Sequence, residues 1–382
     1  MGAYRNQDFF EDNKIDTARE ERRKRIRRKR QRRNLMTVVL IILLLALAGT
    51  CIFLLMQNKK QQNAAVEAMN QKSELEREIN EGGYLTQDEV SAAVEDAKTK
   101  TATEYLTTIQ TMMENGDGTL AMLETLYPEK VVVPESGRYY FFEILDSLKK
   151  NDYSNENFVF PVLNEETKKY EGEATYSVNG EVVSHKGIDV SKFQGDIKWD
   201  KVAADGVEFA YIRLGYRGYG SGKLVTDEKY EDNIQGCNDA GIDTGVYFFT
   251  EALTEKEAIE EADYVLDNLE GYRVDLPIVL DVEESASKTD SRTKDLTAED
   301  RTKVVIAFCN RIKEAGYDTM IYGNLKSLML MVDLTQLESY DKWFAYYHYP
   351  LHFPYQYRVW QYTASGTVDG IAGSCDLNIA FY

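Results

Sequence analysis

The sequence is poor in the residues that most often bind metals or form disulfides. Its 382 residues include only three histidines and four cysteines. Cys51 lies in an apolar run, and the cysteines that follow it are odd in number, which does not indicate a disulfide framework. His348 and His352 flank Pro350, which disfavours a helix that would put them on one face. No cysteine and histidine cluster has the spacing of a zinc site, and we expect no metal and no cofactor.

The short motifs of nucleotide and serine-hydrolase chemistry are also absent. The chain contains no P-loop, no G-x-G-x-x-G and no G-x-S-x-G. Its glycine-rich stretch GYRGYGSG, residues 215–222, is better interpreted as a flexible loop than as a phosphate cradle. These absences leave chemistry carried by carboxylates and aromatic rings, which the chain has in quantity, with 64 Asp/Glu, 26 Tyr and 15 Phe.

Charge is unevenly distributed along the chain. The net charge is −19, but residues 1–34 carry 13 Lys/Arg against 6 Asp/Glu, which leaves 32 basic and 58 acidic residues for the rest. Ten of the N-terminal cations lie between Arg22 and Arg33, directly before residues 35–56, a run of 22 positions without a charge. A run of about 20 apolar residues can cross a bilayer as a helix. The positive-inside rule then places the N-terminus in the cytoplasm and the chain after residue 57 outside.

Two other interpretations of this N-terminal region are weaker. A basic run can be a nucleic-acid-binding tail, but its position against an apolar span favours a topology signal and no nucleic-acid partner. A cleaved signal peptide usually has an apolar core of about 7–15 residues and a small-residue cleavage site. Thr50 before Cys51 does not suit a lipoprotein signal either. We therefore predict a basic tail (1–34) and a retained single-pass membrane anchor (35–56).

The next two segments predict a stalk and a small spacer domain. Residues 57–130 are rich in helix formers but have a poor heptad signal, so a helical stalk is favoured over a coiled coil. Residues 131–185 have a β-like pattern, and Asn179 and Gly180 between two alternating segments are a strong hairpin signal. Neither segment contains an evident catalytic motif.

In residues 186–382 short apolar runs alternate with amphipathic helices. Thr254 and Thr297 are expected to begin two of these helices. The residues expected on their inward faces are Ala258, Ala262, Val265 and Leu269, and Val304, Val305, Phe308 and Ile312. Continuous apolar strands between helices predict parallel strands covered by helices. We count eight strands and about five helices, which predicts an irregular α/β barrel, with an open doubly wound sheet as the alternative.

Polar and aromatic residues stand at the ends of these strands, where barrel active sites lie. The segment LPIVLDVE ends in Asp281 and Glu283, which strand alternation points to the same side with Cα atoms about 6.5–7 Å apart. The other candidates are Asp189, Tyr247, Tyr322, Trp343, Tyr346, Trp360, Gln361 and Asp376. Carboxylates flanked by aromatic rings suit glycoside hydrolysis, in which one acid protonates the leaving oxygen. Each candidate also has a structural interpretation, because acids are common here and most aromatic residues belong to cores.

The segments GIDVSKFQGDIKWDKV, FAYIRLGY, GVYFF, PIVLDVE, IYGN and WQYTASGTVDGIAGSCDLN follow one another in residues 187–378. In this order they resemble glycoside hydrolase family 25, the Chalaropsis-type muramidases. The resemblance covers residues 186–382 and implies a barrel of eight strands and five helices. It also implies cleavage of the β-1,4 bond between N-acetylmuramic acid and N-acetylglucosamine in peptidoglycan. One departure lies in the third strand, where the family often has Tyr-His-Phe and this chain has Tyr247, Phe248 and Phe249.

The resemblance also implies roles for individual residues. Glu283 becomes the general acid and Asp281 the partner that orients or stabilises the reacting 2-acetamido group, with Asp189 and Asp376 as two further acids. Tyr247, Tyr346 and Trp360 become sugar contacts. Nearby negative charge and partial burial would raise the pKa of Glu283 and keep it protonated near neutral pH. We expect retention through substrate assistance, with inversion by a water as the alternative.

The implied partners are peptidoglycan glycan strands and the membrane, in a Gram-positive-type envelope with the wall outside one membrane. An acidic exterior does not favour electrostatic docking to an anionic wall, but an anchor raises the local concentration without new contacts. A catalytically inactive glycan-binding module is one alternative, although all four acids are present. A chitinase is another, although its longer acidic D-x-x-D-x-D-x-E pattern is absent. A role in wall growth, remodelling, secretion or conjugation is left open.

Overall fold

The computed structural model describes residues 54–72, 87–164, 169–285 and 290–381, together with Lys24, Arg25, Arg27–Lys29, Arg32, Asn34 and Met36. The chain divides into two compact units, Met1–Thr111 and Met112–Tyr382. In the first unit, residues 54–72 are helical, and helix α1 runs over Gln87–Asn115 into the second. None of the helices in these described ranges is both long and apolar enough to cross a bilayer. The predicted span at 35–56 lies outside the described residues apart from Met36 and residues 54–56, so it stays a prediction.

The second unit begins with a short helix and a group of small antiparallel sheets. Helix α2 covers Thr119–Leu126 and precedes the hairpin of β1, Lys130–Glu135, and β2, Arg138–Glu143. The remaining short strands are β3 Phe158–Val159, β4 Val162–Asn164, β5 Lys169–Glu171, β6 Thr175–Val178 and β7 Glu181–Val182, with a 3-10 turn at Asn155–Asn157. The hairpin predicted at Asn179 and Gly180 is confirmed, since β6 pairs with β7 around these residues. Their φ angles of 54° and 85° are those of a tight two-residue hairpin turn.

Residues 185–380 form a closed barrel of eight strands. The strands are β8 His185–Val190, β9 Phe209–Arg217, β11 Asp243–Phe249, β12 Ile278–Asp281, β13 Thr319–Asn324, β14 Asp341–Ala345, β15 Val359–Gly366 and β16 Cys375–Ala380. Pairing is parallel from β8 to β15, whereas β16 is antiparallel to both β15 and β8. The ninth strand of the sheet, β10 at Leu224–Thr226, forms a hairpin with β9. The predicted irregular barrel is therefore confirmed, and the open sheet is excluded.

Helices cover the outside of the barrel between its parallel strands. They are α3 Trp199–Ala204, α4 Tyr230–Asp239, α5 Glu255–Asp267 and α6 Ala298–Glu314, with a π-helical turn at Ser327–Met331 and 3-10 turns at Lys192–Gln194 and Leu334–Leu337. The predicted caps are confirmed, since Thr254 accepts from the Glu257 N–H and Thr297 from the Asp300 N–H. All eight residues predicted on the inward faces of α5 and α6 are buried. Each capped helix thus begins where its sequence predicts and covers neighbouring strands.

Because side chains alternate along the strands, the barrel has an apolar layer inside and an apolar shell outside. The interior layer contains Phe209, Tyr211, Val279, Met320, Val359 and Ala380. Two glycines make room for it, because a Cβ at Gly187 would lie 2.1 Å from the Phe209 ring and one at Gly245 would lie 2.3 Å from the Tyr211 ring. This layer fills the barrel below the carboxyl ends of the strands, so the polar residues above it form the floor of an open cavity.

Candidate active site

The four predicted acids meet in one cavity of about 250 Å³ at the carboxyl ends of the strands. Strand alternation explains the convergence on β12, where Leu280 and Val282 belong to the outer core while Asp281 and Glu283 line the cavity. The other lining residues are Asp189, Val190, Ser191, Phe193, Gln194, Arg213, Tyr247, Phe249, Tyr322, Trp343, Gln361 and Asp376. The first and last strands of the domain therefore bring their acids to the same place as the middle one.

Asp189 is held by two amide side chains. Its Oδ2 accepts from Gln361 Nε2 at 2.7 Å and from Asn378 Nδ2 at 2.8 Å. Asn378 is in turn oriented by Trp343, whose Nε1 donates to its Oδ1 at 2.7 Å. Burial raises the pKa of Asp189, and the two amide donors oppose that rise because they stabilise the charged form. The position of this carboxylate is thus fixed from two sides.

Asp376 lies beside Asp189 because β16 pairs with β8. The two residues are direct partners in that antiparallel register. Burial, the charge of Asp189 and the hydrogen bond between the two carboxyls raise the pKa of Asp376 to about 8. Since the amide donors favour the charged form of Asp189 while the pKa of Asp376 is raised, Asp376 is the member of the pair that more readily holds a proton.

Asp281 and Glu283 form the second pair of carboxyls. Burial and the nearby charges of Glu283 and Asp189 raise the pKa of Asp281 well above its usual range. Burial also raises the pKa of Glu283, and the neighbouring Tyr322 hydroxyl opposes that rise. Among the described residues, Asp281 Oδ1 is buried without a hydrogen-bond partner. Asp281 is only 5% exposed whereas Glu283 is half-buried, so Glu283 is the member of the pair that reaches into the open cavity.

Arg213 brings a positive charge to this acidic cavity. It lies on β9, and its Nε donates to Asp227 Oδ2 at 2.7 Å. Its guanidinium also lies 5.1 Å from the ring centroid of Phe193. The charge of Arg213 opposes the rise in the pKa of Asp281. Because Asp227 already pairs with Arg213, the cation offsets the four carboxyls only in part.

Four of the six candidate site residues other than the acids line the cavity. They are Tyr247, Tyr322, Trp343 and Gln361. Trp343 is only 1% exposed and stacks on Tyr211 with ring centroids 4.6 Å apart, which places it in the floor. Tyr322 donates to Gln361 Oε1 at 2.8 Å and so orients the amide that holds Asp189. Contact of these residues with a sugar remains a prediction.

Trp360 and Tyr346 do not line the cavity. Trp360 is fully buried outside the barrel, where it packs edge-on against Phe158, and its Nε1 donates to the Tyr346 carbonyl at 2.9 Å. The side chain of Tyr346 also points outward, and its hydroxyl donates to Glu124 Oε1 at 3.0 Å. The predicted sugar contacts of both residues do not fit these placements. The reason is strand alternation, which turns Trp360 and Tyr346 away while their neighbours Gln361 and Tyr347 turn inward.

Sequence reasoning missed several residues of the site. Tyr347 donates to Gln361 Oε1 at 2.5 Å, and the period of two from Trp343 through Ala345 would have placed it inside. The same alternation places Asn378 two positions after Asp376. Arg213 is the only basic residue in the apolar segment FAYIRLGY, which was a signal for a buried or functional cation. Phe193 is 76% exposed at the edge of the cavity, and its unusual exposure could not be deduced from sequence.

The polar side chains of the site are carboxylates, amides and phenols. Among the residues that the structure describes, no group of three or more His, Cys, Asp or Glu is arranged to hold a metal ion. The chemistry that the described side chains can supply is proton transfer by carboxyls and electrostatic stabilisation of positive charge. An oxocarbenium-like transition state requires both of these.

Known proteins resemble the part of the chain that contains this cavity. The autolytic lysozyme of Clostridium acetobutylicum is 26% identical over 194 residues, which cover 50% of this chain and 55% of that protein. Lysozyme M1 of Streptomyces globisporus is 29% identical over 204 residues, which cover 50% of this chain and 66% of that protein. A solved bacterial lysozyme from Streptomyces coelicolor is 28% identical with a TM-score of 0.44, over 51% of this chain and 90% of that one.

The family comparison delimits the domain. The chain spans 55% and 66% of the lengths of the two lysozymes whose sequences it matches. Its residues 188–371 match the model of the family described as "Glycosyl hydrolases family 25". These residues include Asp189, Asp281 and Glu283, whereas Asp376 follows the matched range. The matched range therefore lies within the barrel and includes three of its four cavity acids.

Proposed function

We propose that the barrel is an N-acetylmuramidase that hydrolyses the β-1,4 bond between N-acetylmuramic acid and N-acetylglucosamine in peptidoglycan. The observation that carries the proposal is the placement of Glu283, a half-buried carboxyl with a raised pKa, in an open cavity beside three further carboxyls. The family domain and the two lysozyme relatives support a glycosidase that acts on cell-wall glycan.

Glu283 acts as the general acid. Burial raises its pKa and the charge of Asp189 adds to that rise, so the carboxyl retains a proton close to neutral pH. A protonated carboxyl in the cavity can donate to the oxygen of the leaving sugar as the glycosidic bond breaks. Glu283 takes this role rather than Asp281 because it is the less buried of the two.

Asp281 orients the 2-acetamido group that serves as the internal nucleophile. Asp281 and Glu283 line the same cavity and lie close enough for Glu283 to raise the pKa of Asp281, which favours a partner that acts beside the acid over the roughly 6.5–9.5 Å separation of inverting enzymes. Asp281 Oδ1 is a buried acceptor without a donor among the described residues, and an acetamide N–H supplies one. The proposed outcome is retention of the anomeric configuration.

The pair of Asp189 and Asp376 supports the developing positive charge. The raised pKa of Asp376 favours its protonated form, while two amide donors favour a negative charge on Asp189. This charge stabilises a cationic sugar and also disfavours ionisation of Glu283. The charge of Asp189 therefore keeps Glu283 protonated and also stabilises the cationic transition state.

The enzyme acts while anchored to the outer face of the membrane of a Gram-positive-type cell. The uncharged run at 35–56 after a strongly basic tail supports this part of the proposal. A tether keeps an acidic protein at an anionic wall that would otherwise repel it. Protease protection of the N-terminal tail in intact cells, with cleavage of the barrel, is the expected result. Cleavage of both would contradict the topology.

Replacement of the acid tests the chemistry. Glu283→Gln keeps the shape of the side chain but cannot donate the same proton, so turnover of purified peptidoglycan should fall about 100- to 10,000-fold. Glu314→Gln is the matched control, because it removes an exposed carboxyl at the C-terminal end of α6, outside the cavity lining. Mass spectrometry should find N-acetylmuramic acid at the reducing ends of the wild-type products. Near-normal activity of Glu283→Gln, or N-acetylglucosamine at the reducing ends, would contradict the proposal.

The same assay separates the alternative functions. A chitinase would release products from chitin oligomers faster than from muropeptides. A catalytically inactive module would bind glycan strands without producing new reducing ends. Proton NMR of the first anomer formed decides the stereochemistry, and an inverted product would exclude substrate assistance.

A further inference from the structure

The hairpin of β1 and β2 lies outside the range that matches family 25, yet its tip is linked by ion pairs to the residue that follows Glu283. Lys326, which follows β13, makes an ion pair with Glu135 Oε2 at 3.0 Å and another with Glu284 Oε2 at 2.9 Å. Glu135 is the last residue of β1, and Glu284 directly follows the proposed acid Glu283. Two ion pairs at one ammonium thus join the hairpin tip to the β12 and β13 side of the cavity.

Strand register shows which residues of the hairpin face the barrel. Val133 pairs with Tyr140 and Glu135 pairs with Arg138, so these four side chains share one face. Val133 is fully buried in the core that includes the outer shell of the barrel, and Glu135 reaches Lys326. Tyr140 is the diagonal neighbour of Glu135, at a Cα distance of about 7–8 Å. Its side chain therefore lies on the same face of the hairpin as Glu135 and Val133, the face that packs against the barrel.

Tyr140 is held in place but not covered. It is 38% exposed although it lies on the face that packs against the barrel. The hairpin is held from its other face as well, where Phe141 packs edge-on against Tyr127 with ring centroids 5.0 Å apart. Tyr127 caps helix α2, whose Glu124 accepts from the Tyr346 hydroxyl at 3.0 Å. A rigidly held and accessible ring is suited to binding a flat apolar ligand face at low entropic cost.

A second exposed ring lies on the opposite side of the cavity. Phe193 follows β8 and is 76% exposed. In the closed order of eight strands, β8 and β13 lie four positions apart in either direction, which makes them diametrically opposite. Phe193 and the Lys326-bound hairpin therefore flank the four carboxyls from opposite sides. A linear ligand that contacts both rings would pass directly over Glu283.

We infer that Tyr140 is a glycan-binding residue, supplied from outside the catalytic domain, which extends the cleft so that it binds long glycan strands. The inference rests on the proposed muramidase function and adds a binding position to it. The strand lies across the mouth from Phe193 to Tyr140, where the apolar face of a sugar ring stacks on the phenol ring. The hairpin thereby makes the enzyme selective for polymeric wall over short fragments.

Chain-length dependence tests the inference on the full chain. Wild type, Tyr140→Ala and Tyr139→Ala are compared on glycan strands of increasing length. Tyr139 is the matched control because it is also 38% exposed but pairs with Pro134 on the opposite face. Loss of one stacking contact should lower kcat/KM on long strands roughly three- to tenfold. The shortest cleaved oligosaccharide, which does not reach the hairpin, should be hydrolysed at the wild-type rate.

Two kinetic outcomes would overturn the inference. One is an equal effect of Tyr140→Ala at all lengths, which indicates a structural role. The other is an equal effect of Tyr139→Ala. A binding experiment separates this inference from the proposed function. Calorimetry with Glu283→Gln and with Glu283→Gln/Tyr140→Ala measures the affinity for intact strands without turnover. If wild type cleaves nothing but Tyr140→Ala still weakens binding three- to tenfold, the muramidase proposal fails and the binding residue stands. Unchanged affinity would refute the binding residue.

Discussion

Buried carboxylates occur in two regions of this barrel and meet opposite surroundings. Outside the barrel, Glu261 on α5 accepts from Arg217 Nε and from Thr250 Oγ1, each at 2.7 Å, so both of its oxygens have a donor. Inside the mouth, Asp281 has an oxygen without a donor among the described residues and other acids as its neighbours. The outer carboxylate is therefore fully paired within the folded protein, whereas Asp281 keeps an oxygen that the proposed substrate would engage.

The pKa values follow this difference. Burial raises the pKa of Glu261, but Arg217 and Thr250 oppose the rise. Burial also raises the pKa of Asp281, and there the nearby charges of Glu283 and Asp189 add to the rise. A cluster of like charges destabilises the folded protein, and such clusters persist where function requires them. We therefore expect that removing the partner of the outer carboxylate lowers the stability of the protein. Neutralising an active-site carboxylate should raise it.

The largest effect is expected outside the active site. Arg217→Ala leaves Glu261 buried without its cation, which should lower the free energy of unfolding by about 3–5 kcal/mol. Lys303→Ala is the matched control, because it removes an exposed ion pair with Glu299 on α6 and should cost less than about 0.5 kcal/mol. Urea titration followed by circular dichroism measures both. A loss below about 1 kcal/mol for Arg217→Ala would show that Glu261 is neutral in the folded state.

Neutralising an active-site acid should increase the free energy of unfolding. The pKa of Asp376 is raised to about 8 in the folded protein, so its contribution to stability is present at acidic pH and is lost as pH rises toward 8. Asp376→Asn removes this loss and should stabilise the protein at pH 8 by about 1–3 kcal/mol, with reduced hydrolysis. Unfolding at pH 5 and pH 8 checks the sign. A variant that is less stable than wild type at pH 8 would contradict the electrostatic account.

The pH dependence of the rate tests whether Glu283 acts as the general acid. Glu283 must be protonated to act, so kcat/KM should fall as pH rises through the apparent pKa of the Asp281 and Glu283 pair. Asp189→Asn removes a charge that raises this pKa, and it should move the alkaline limb of the profile down by about one pH unit. The position of the limb is read from the shape of the profile, whatever the height of the maximum. An unmoved limb would mean that burial alone sets the pKa.

Much of this architecture could be predicted from sequence because its signals are local. The caps at Thr254 and Thr297 and the turn at Asn179 and Gly180 depend on neighbouring residues, and all of them are confirmed. Alternation in LPIVLDVE correctly placed Asp281 and Glu283 on one side. Near β14 and β15, consecutive aromatic residues fill both faces, so sequence alone does not distinguish Trp360 and Tyr346, which turn outward, from the residues that turn inward. The hairpin beside the cavity could not be predicted, since it depends on long-range packing.

The smallest effect is expected at Tyr347, which acts through another residue. Its hydroxyl donates to Gln361 Oε1 and so fixes the amide with Nε2 toward Asp189. Tyr347→Phe removes one hydrogen bond of about 1 kcal/mol, which corresponds to a roughly fivefold decrease in kcat/KM. Tyr349→Phe is the matched control, because that hydroxyl donates to the Tyr362 carbonyl away from the cavity lining. A positioning role requires that Tyr347→Phe also shift the pH profile, since a less firmly held Gln361 changes the charge on Asp189. A lower rate with an unchanged profile would instead assign Tyr347 to direct substrate contact.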